Sequence, residues 1–239
     1  MYQTLLTLHP DDAGTLNNYA NLLSKQPAQW ARAAELYEQA LTLRPDHADT
    51  LYNYATLLSN QPAQWARAAE LYERALTLRP DHAVTLNNYA TLLSNQPAQW
   101  ARAAELYERA LTLAPDNPVM LLGLVTVLVA GVDRPKGLAI AVKALQSENV
   151  PGDGFGALVL LFLLAAFAQQ ALADHALAHL KLGLSNPQAR IPDWSFETPL
   201  IALRHDQHLD AAWLEKLAYV ILGNAELATL NGWQRWDNR

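Results

Sequence analysis

SNQPAQWARAAELYERALTLRPDHA, residues 59–83, returns almost letter for letter from Ser94 onward, and an earlier copy starts at Ser24. Trp30, Trp65 and Trp100 recur every 35 residues, and Pro10, Pro45, Pro80 and Pro115 keep the same step. A fixed period in this range marks a stacked array of small supersecondary units rather than one irregular globule. Each unit holds two helical patterns. In ADTLYNYATLLSN, Leu51, Tyr54, Ala55 and Leu58 share one face at the three-and-four spacing of an amphipathic helix. In PAQWARAAELYERALTL, Trp65, Ala68, Ala69, Tyr72, Ala75 and Leu76 form the apolar stripe, and Arg67, Glu70, Glu73 and Arg74 face outward.

The junctions are punctuated. Ser59 and Asn60 serve the free backbone groups of the first helix, and Pro62 fits a first helical turn, where its missing N–H has no partner to lose. Pro80 stops the second helix, and Asp81 is placed to cap the next. The small Ala55, Ala68 and Ala75 leave the space that Tyr54, Trp65 and Tyr72 fill. Trp65→Ala is accordingly expected to cost about 3–5 kcal/mol if the ring is core.

On these residues the chain resembles the tetratricopeptide repeat family. The matching positions are Leu51, Tyr54 with Ala55, and Leu58 on the first helix, then Ala68, Tyr72, Ala75 and Pro80 on the second. The family repeat has about 34 residues; the extra one here falls in the Asn60–Ala63 turn and leaves the helix faces alone. The resemblance implies an all-α fold: a right-handed α-solenoid of stacked antiparallel helix hairpins, closed by a helical C-terminal cap. The expected layout is a partial repeat over 1–12, three near-identical repeats over 13–117, two degenerate hairpins over 118–190 and a capping segment over 191–239.

Composition narrows the function. The 239 residues are 51% hydrophobic and 17% charged with a net charge of −6, so there is no basic surplus for phosphate backbones and nucleic acid is not expected as a partner. No Cys is present, which removes disulfide and thiol chemistry. The opening MYQTLLTLHPDD lacks the features of a signal peptide, and the apolar run 155–168 is shorter than the ~20 residues of a membrane span, so a cytoplasmic chain without a membrane partner is expected.

One period back from Tyr37, Leu41, Leu43 and Pro45 stand Tyr2, Leu6, Leu8 and Pro10, the second helix of a unit without its first. Leu5, Leu6 and Leu8 then lack a packing neighbour, and self-association through this open end is one expectation.

The three copies differ at seven columns, four of them on or beside the first helix: Gly14/Asp49/Val84, Asn17/Tyr52/Asn87, Asn21/Thr56/Thr91 and Lys25/Asn60/Asn95. The resemblance implies that this face lines a concave groove for an extended peptide or a partner helix. Candidate groove residues are Asn17, Asn18, Asn21, Asp49, Tyr52, Asn53, Thr56, Asn87, Asn88 and Thr91. Asn18, Asn53 and Asn88 recur at one spot, where an amide can donate to and accept from a ligand main chain. The competing reading is that exposed positions tolerate change; the constancy of the outward Arg67, Glu70 and Glu73 weighs against it. Capture of a C-terminal carboxylate is not expected, since only Lys25 is basic near this face.

No enzyme signature emerges. His175 and His179, with His205, Asp206, His208 and Asp210, have the types of a metal site but no metal-binding motif, and PGDGFG at 151–156 follows no strand and lacks a phosphate-loop Lys, so neither a metal nor a cofactor is expected. Trp30, Trp65 and Trp100 sit on the apolar stripe and read as packing groups. The expected function is a non-catalytic protein-interaction scaffold. The alternatives are the recognition arm of a larger enzyme or defence effector, and an end-to-end self-assembling structural protein.

Overall fold

Every copy of Ser-x-Gln-Pro-Ala-Gln-Trp forms the same turn. In a computed structural model, which describes residues 2–8, 11–146, 211–221 and 227–230 with isolated positions between 163 and 202, a short 3-10 turn begins at Pro27, Pro62 and Pro97. The indole Nε1–H of the following Trp reaches back to the Ser carbonyl: Trp30 to Ser24 at 2.9 Å, Trp65 to Ser59 at 2.9 Å and Trp100 to Ser94 at 2.8 Å. One carbonyl left over at the end of the first helix is thereby satisfied, and the start of the second helix is pinned to it.

The helices are α1 (Tyr2–Leu8), α2 (Ala13–Leu23), α3 (Trp30–Leu43), α4 (Ala48–Ser59), α5 (Trp65–Leu78), α6 (Ala83–Ser94), α7 (Trp100–Leu113), α8 (Pro118–Val127), α9 (Arg134–Gln146) and α10 (Ala211–Ile221). No strand occurs among the described residues. By Cα packing the chain divides into two units, Met1–Leu92 and Leu93–Arg239.

In the first unit, α2 pairs with α3 and α4 with α5 as hairpins. Ala55, Ala68 and Ala75 are buried between the helices, as the size alternation requires, and Leu51, Leu71 and Tyr72 are sealed completely. Leu71, which the expected stripe omitted, is core, whereas Trp65, Ala69 and Leu76 are half-buried. Trp30 is half-buried as well, so these two rings straddle the surface and Trp65→Ala falls below the full-core cost. Successive repeats are joined by stacked tyrosines: Tyr2 on Tyr19 at 5.7 Å, Tyr37 on Tyr54 at 5.5 Å and Tyr72 on Tyr89 at 5.7 Å between ring centroids. The hydroxyl of Tyr54 donates to Glu38 and that of Tyr89 to Glu73, each at 2.8 Å.

The helix caps stand one residue later than Asp81 suggests. Asp12, His47, His82 and Asn117 occupy the capping position, and each side chain accepts a backbone N–H of the first turn: Gly14, Thr50, Thr85, and both Val119 and Met120. The His47/His82/Asn117 column is variable, yet every residue in it offers an acceptor.

In the second unit α8 is buried almost all round, from Leu122 to Val127, as its lack of a polar face requires. It continues into a π-helical turn, Leu128–Val132. Leu122, Val125, Val129 and Ala141 share one apolar cluster with Leu163, Ala176, Leu177, Leu180 and Leu184 and with Leu214, Leu217 and Ile221 of α10. The residues 151–156 and the histidines at 175, 179, 205 and 208 lie outside the described residues.

Candidate functional site

All ten candidate groove residues lie in the first unit, and hydrogen bonds join Asn17, Asn18 and Asn53 in one set and Tyr52, Asn87 and Asn88 in another. Asn53 Nδ2 donates to Asn17 Oδ1 at 3.2 Å, and Asn88 Nδ2 donates to the Tyr52 hydroxyl at 3.1 Å. Each bond runs from one repeat to the preceding one. Within a helix, Asn17 Nδ2 donates to Asn18 Oδ1 at 3.4 Å and Asn87 Nδ2 to Asn88 Oδ1 at 3.1 Å. Asn17, expected on an open face, is 6% exposed. Its oxygen is the acceptor for the next repeat, and that contact covers it.

The Asn21/Thr56/Thr91 column is tied to the second helix of its repeat at Asn21 and Thr56. Tyr37 donates to Asn21 Oδ1 at 2.6 Å, and Thr56 Oγ1 meets the Tyr72 hydroxyl at 3.1 Å. Thr91 is exposed and its hydroxyl donates to the Asn87 carbonyl at 2.9 Å. Burial pushes the Tyr37 and Tyr72 phenols up to about 12, because the phenolate has no solvation there. Asp49 pairs with Arg79 of the following helix through both carboxylate oxygens. The Tyr52 ring lies edge-on to His82, with centroids 5.9 Å apart, and tilted against Tyr72 at 6.4 Å.

The columns at 17/52 and 21/56 therefore vary between groups that all accept a hydrogen bond. The constant outward residues also have partners: Glu38 and Glu73 hold tyrosine hydroxyls, and Arg67 pairs with Glu70 at 2.8 Å. Their constancy does not separate a ligand face from a structural one. Asn53 and Asn88 have their donors engaged inside the protein. Among the candidate groove amides, Asn18 Nδ2, Asn21 Nδ2, Asn53 Oδ1 and Asn87 Oδ1 have no protein partner, and the last of these is a buried atom. One step past Asn88 in the repeat register the chain has Gly123, which carries no amide.

No group of three or more metal-ligating side chains occurs among the described residues, and none of the helices searched is long and apolar enough to cross a membrane.

No protein-family model and no curated protein matches the chain. Solved structures do. YrrB, described as "a TPR protein with an unusual peptide-binding site", is similar over 86% of this chain and 97% of its own, with 18% identity and a TM-score of 0.64. PilW, a "widely conserved type IV pilus biogenesis factor", is similar over 84% of this chain and 87% of its own, with 19% identity and a TM-score of 0.63. MamA is similar over 61% of this chain and 83% of its own, at 16% identity and a TM-score of 0.55. The fold is that of an all-α tetratricopeptide-type solenoid of helix hairpins.

Proposed function

We propose that the chain is a non-catalytic protein-interaction scaffold whose first-helix groove, between Asn17 and Thr91, binds an extended peptide through the peptide's backbone N–H groups, or a partner helix through its side chains. The four-part layout read from the sequence is part of the same proposal. The observation that carries it is the buried, unpartnered Asn87 Oδ1. Leaving such an acceptor empty costs about 1–3 kcal/mol, so a buried orphan on this amide-bearing face points to a missing donor. Asn53 Oδ1 offers a second acceptor on the same run of first helices. An extended ligand backbone supplies N–H donors at regular spacing, and the basic groups nearby, Lys25 and the Asp49-paired Arg79, do not form a cluster that favours a terminal carboxylate. YrrB, of similar fold, is described as having a peptide-binding site, which agrees with this reading.

The test is a peptide library selected against the full chain, with each selected ligand then titrated into Asn87→Leu. The substitution keeps the branched shape but removes both the unsatisfied acceptor and the Nδ2 donor to Asn88 Oδ1, so the melting temperature and circular dichroism are recorded with each titration. Loss of binding with the fold kept supports the groove; ligands that bind Asn87→Leu as well as wild type overturn it.

A second reading rests on α1. Leu5 is 39% exposed and Leu8 67%, while Ala40, one period after Leu5, is 1% exposed. These leucines form an end face for a second copy, which sedimentation over a range of concentrations would reveal as a rising mass.

A further inference from the structure

The turn that follows the first helix occurs three times, and in the third copy it holds something. Ser94 O accepts from the Trp100 indole at 2.8 Å and also from Thr198 Oγ1 at 2.9 Å, 104 residues further along the chain. A carbonyl has two lone pairs, and here both are taken. The seat is dry: Thr198 is 5% exposed, Ser94 9% and Trp100 9%. Pro199 and Ala202 are buried as well.

The other two turns carry the same groups. Ser59–Trp65 is identical in sequence to Ser94–Trp100, and Ser24–Trp30 differs from them only at Lys25. Their Trp rings donate to Ser24 O and Ser59 O with the same geometry, and no second donor reaches either carbonyl among the described residues. Pro27 and Pro62, three residues after those carbonyls, have no N–H with which to close a backbone turn onto them. Ser24, Trp30, Ser59 and Trp65 are half-buried rather than buried. The turns share one geometry, and the third is covered from two sides: Thr198 bonds its carbonyl, and Gly131 lies so near the Trp100 ring that a Cβ there would stand 2.9 Å from it.

We propose that Ser24–Trp30 and Ser59–Trp65 are docking sites for a Thr-Pro helical segment of a partner protein, bound as Thr198-Pro199 is bound on Ser94–Trp100. The partner's hydroxyl donates to the free lone pair of the Ser carbonyl, and the apolar groups after it cover the exposed edge of the indole. These sites lie in the loops after α2 and α4, apart from the amides of the first-helix groove, and the proposal stands whether or not that groove binds a peptide. The specificity it imposes is for a hydroxyl donor: a valine of the same shape leaves the lone pair empty.

The probe is a synthetic peptide with the sequence of residues 190–204, RIPDWSFETPLIALR, added to the full chain labelled with 15N at tryptophan. Trp30→Phe and Trp65→Phe chains assign the two indole signals. The expected result is movement of the Trp30 and Trp65 signals with that of Trp100 unchanged, and about 2- to 10-fold weaker binding by the peptide carrying Thr198→Val, the worth of one neutral hydrogen bond. No movement at millimolar peptide, equal binding of the valine peptide, or movement of Trp100 alone overturns the proposal. Movement of Trp30 and Trp65 with protein concentration, in the absence of peptide, assigns the sites to a second copy and overturns the partner reading. Thr198→Val in the full chain checks the seat itself: it shifts Trp100 and leaves Trp30 and Trp65 in place, and a Trp100 signal that does not respond sinks the proposal at its premise.

Discussion

Asn53 Nδ2 donates to Asn17 Oδ1 across 3.2 Å, joining two repeats through side chains one period and one residue apart. Asn88 and Tyr52 repeat the relation with a hydroxyl in place of the amide oxygen. The bond is half-buried, and removing either partner strands the other. In urea denaturation of the full chain, Asn17→Ala and Asn53→Ala are each expected to destabilise. Their double-mutant cycle should return a coupling of about 0.5–1.5 kcal/mol. Strict additivity would mean that the two amides do not support each other and that repeat stacking rests on the tyrosines alone.

The capping column makes a separate prediction. His47 Nδ1 accepts the Thr50 N–H at 3.3 Å and lies 2.8 Å from the Thr50 hydroxyl. That is the role of Asp12 in the preceding repeat and of Asn117 after the third. His47→Ala removes the acceptor and should cost about 1 kcal/mol in the thermal melt. His47→Asn restores a short acceptor and should stay within a few tenths of wild type. If the alanine and asparagine chains melt together, the imidazole is not the cap.

The period, the hairpins and the turn prolines were legible because each is a local pattern written three times. The burial of Ala55, Ala68 and Ala75 followed from size alternation alone. The cap was read one residue early because Asp is a common capping residue and His is not; only the Asp12/His47/His82/Asn117 column, compared down the copies, carries the signal. The side-chain bonds between repeats were not legible. Whether Asn17 faces solvent or the next repeat depends on the stacking register between repeats, which no single helix pattern encodes. The same holds for Trp30 and Trp65: the apolar stripe puts them on the inner side, but each is only half-buried.

Burial raises the phenols of Tyr37, Tyr54 and Tyr72, Tyr54 also through Glu38, and so makes the fold sensitive to alkali. Tyr37 and Tyr72 are raised from the ordinary value to about 12 by desolvation, so the folded chain keeps those protons when the unfolded chain, titrating near 10, releases them. Their contribution is complete below pH 10 and is lost as the pH rises towards 12. The melting temperature should therefore fall across that window, and Tyr37→Phe with Tyr72→Phe should flatten the fall while lowering the plateau at neutral pH. An unchanged slope in the double variant would assign the alkaline loss to other groups.

Gly123 is the position at which the fourth repeat departs from the amide pattern, and its neighbour explains the departure. A Cβ at residue 123 would stand 2.4 Å from the Tyr107 ring and 2.7 Å from its hydroxyl, well inside contact distance. Tyr107 is 3% exposed, so its ring has little room to withdraw. Gly123→Ala should then destabilise by about 1–3 kcal/mol through overpacking, even though alanine is the better helix former in an α8 interior. Repeating the substitution in a Tyr107→Leu background should shrink that cost, because the smaller side chain vacates the space the new methyl needs. A Gly123→Ala chain as stable as wild type in urea would mean that Tyr107 swings aside freely, and that its contact with α8 contributes little to the hold between α7 and α8.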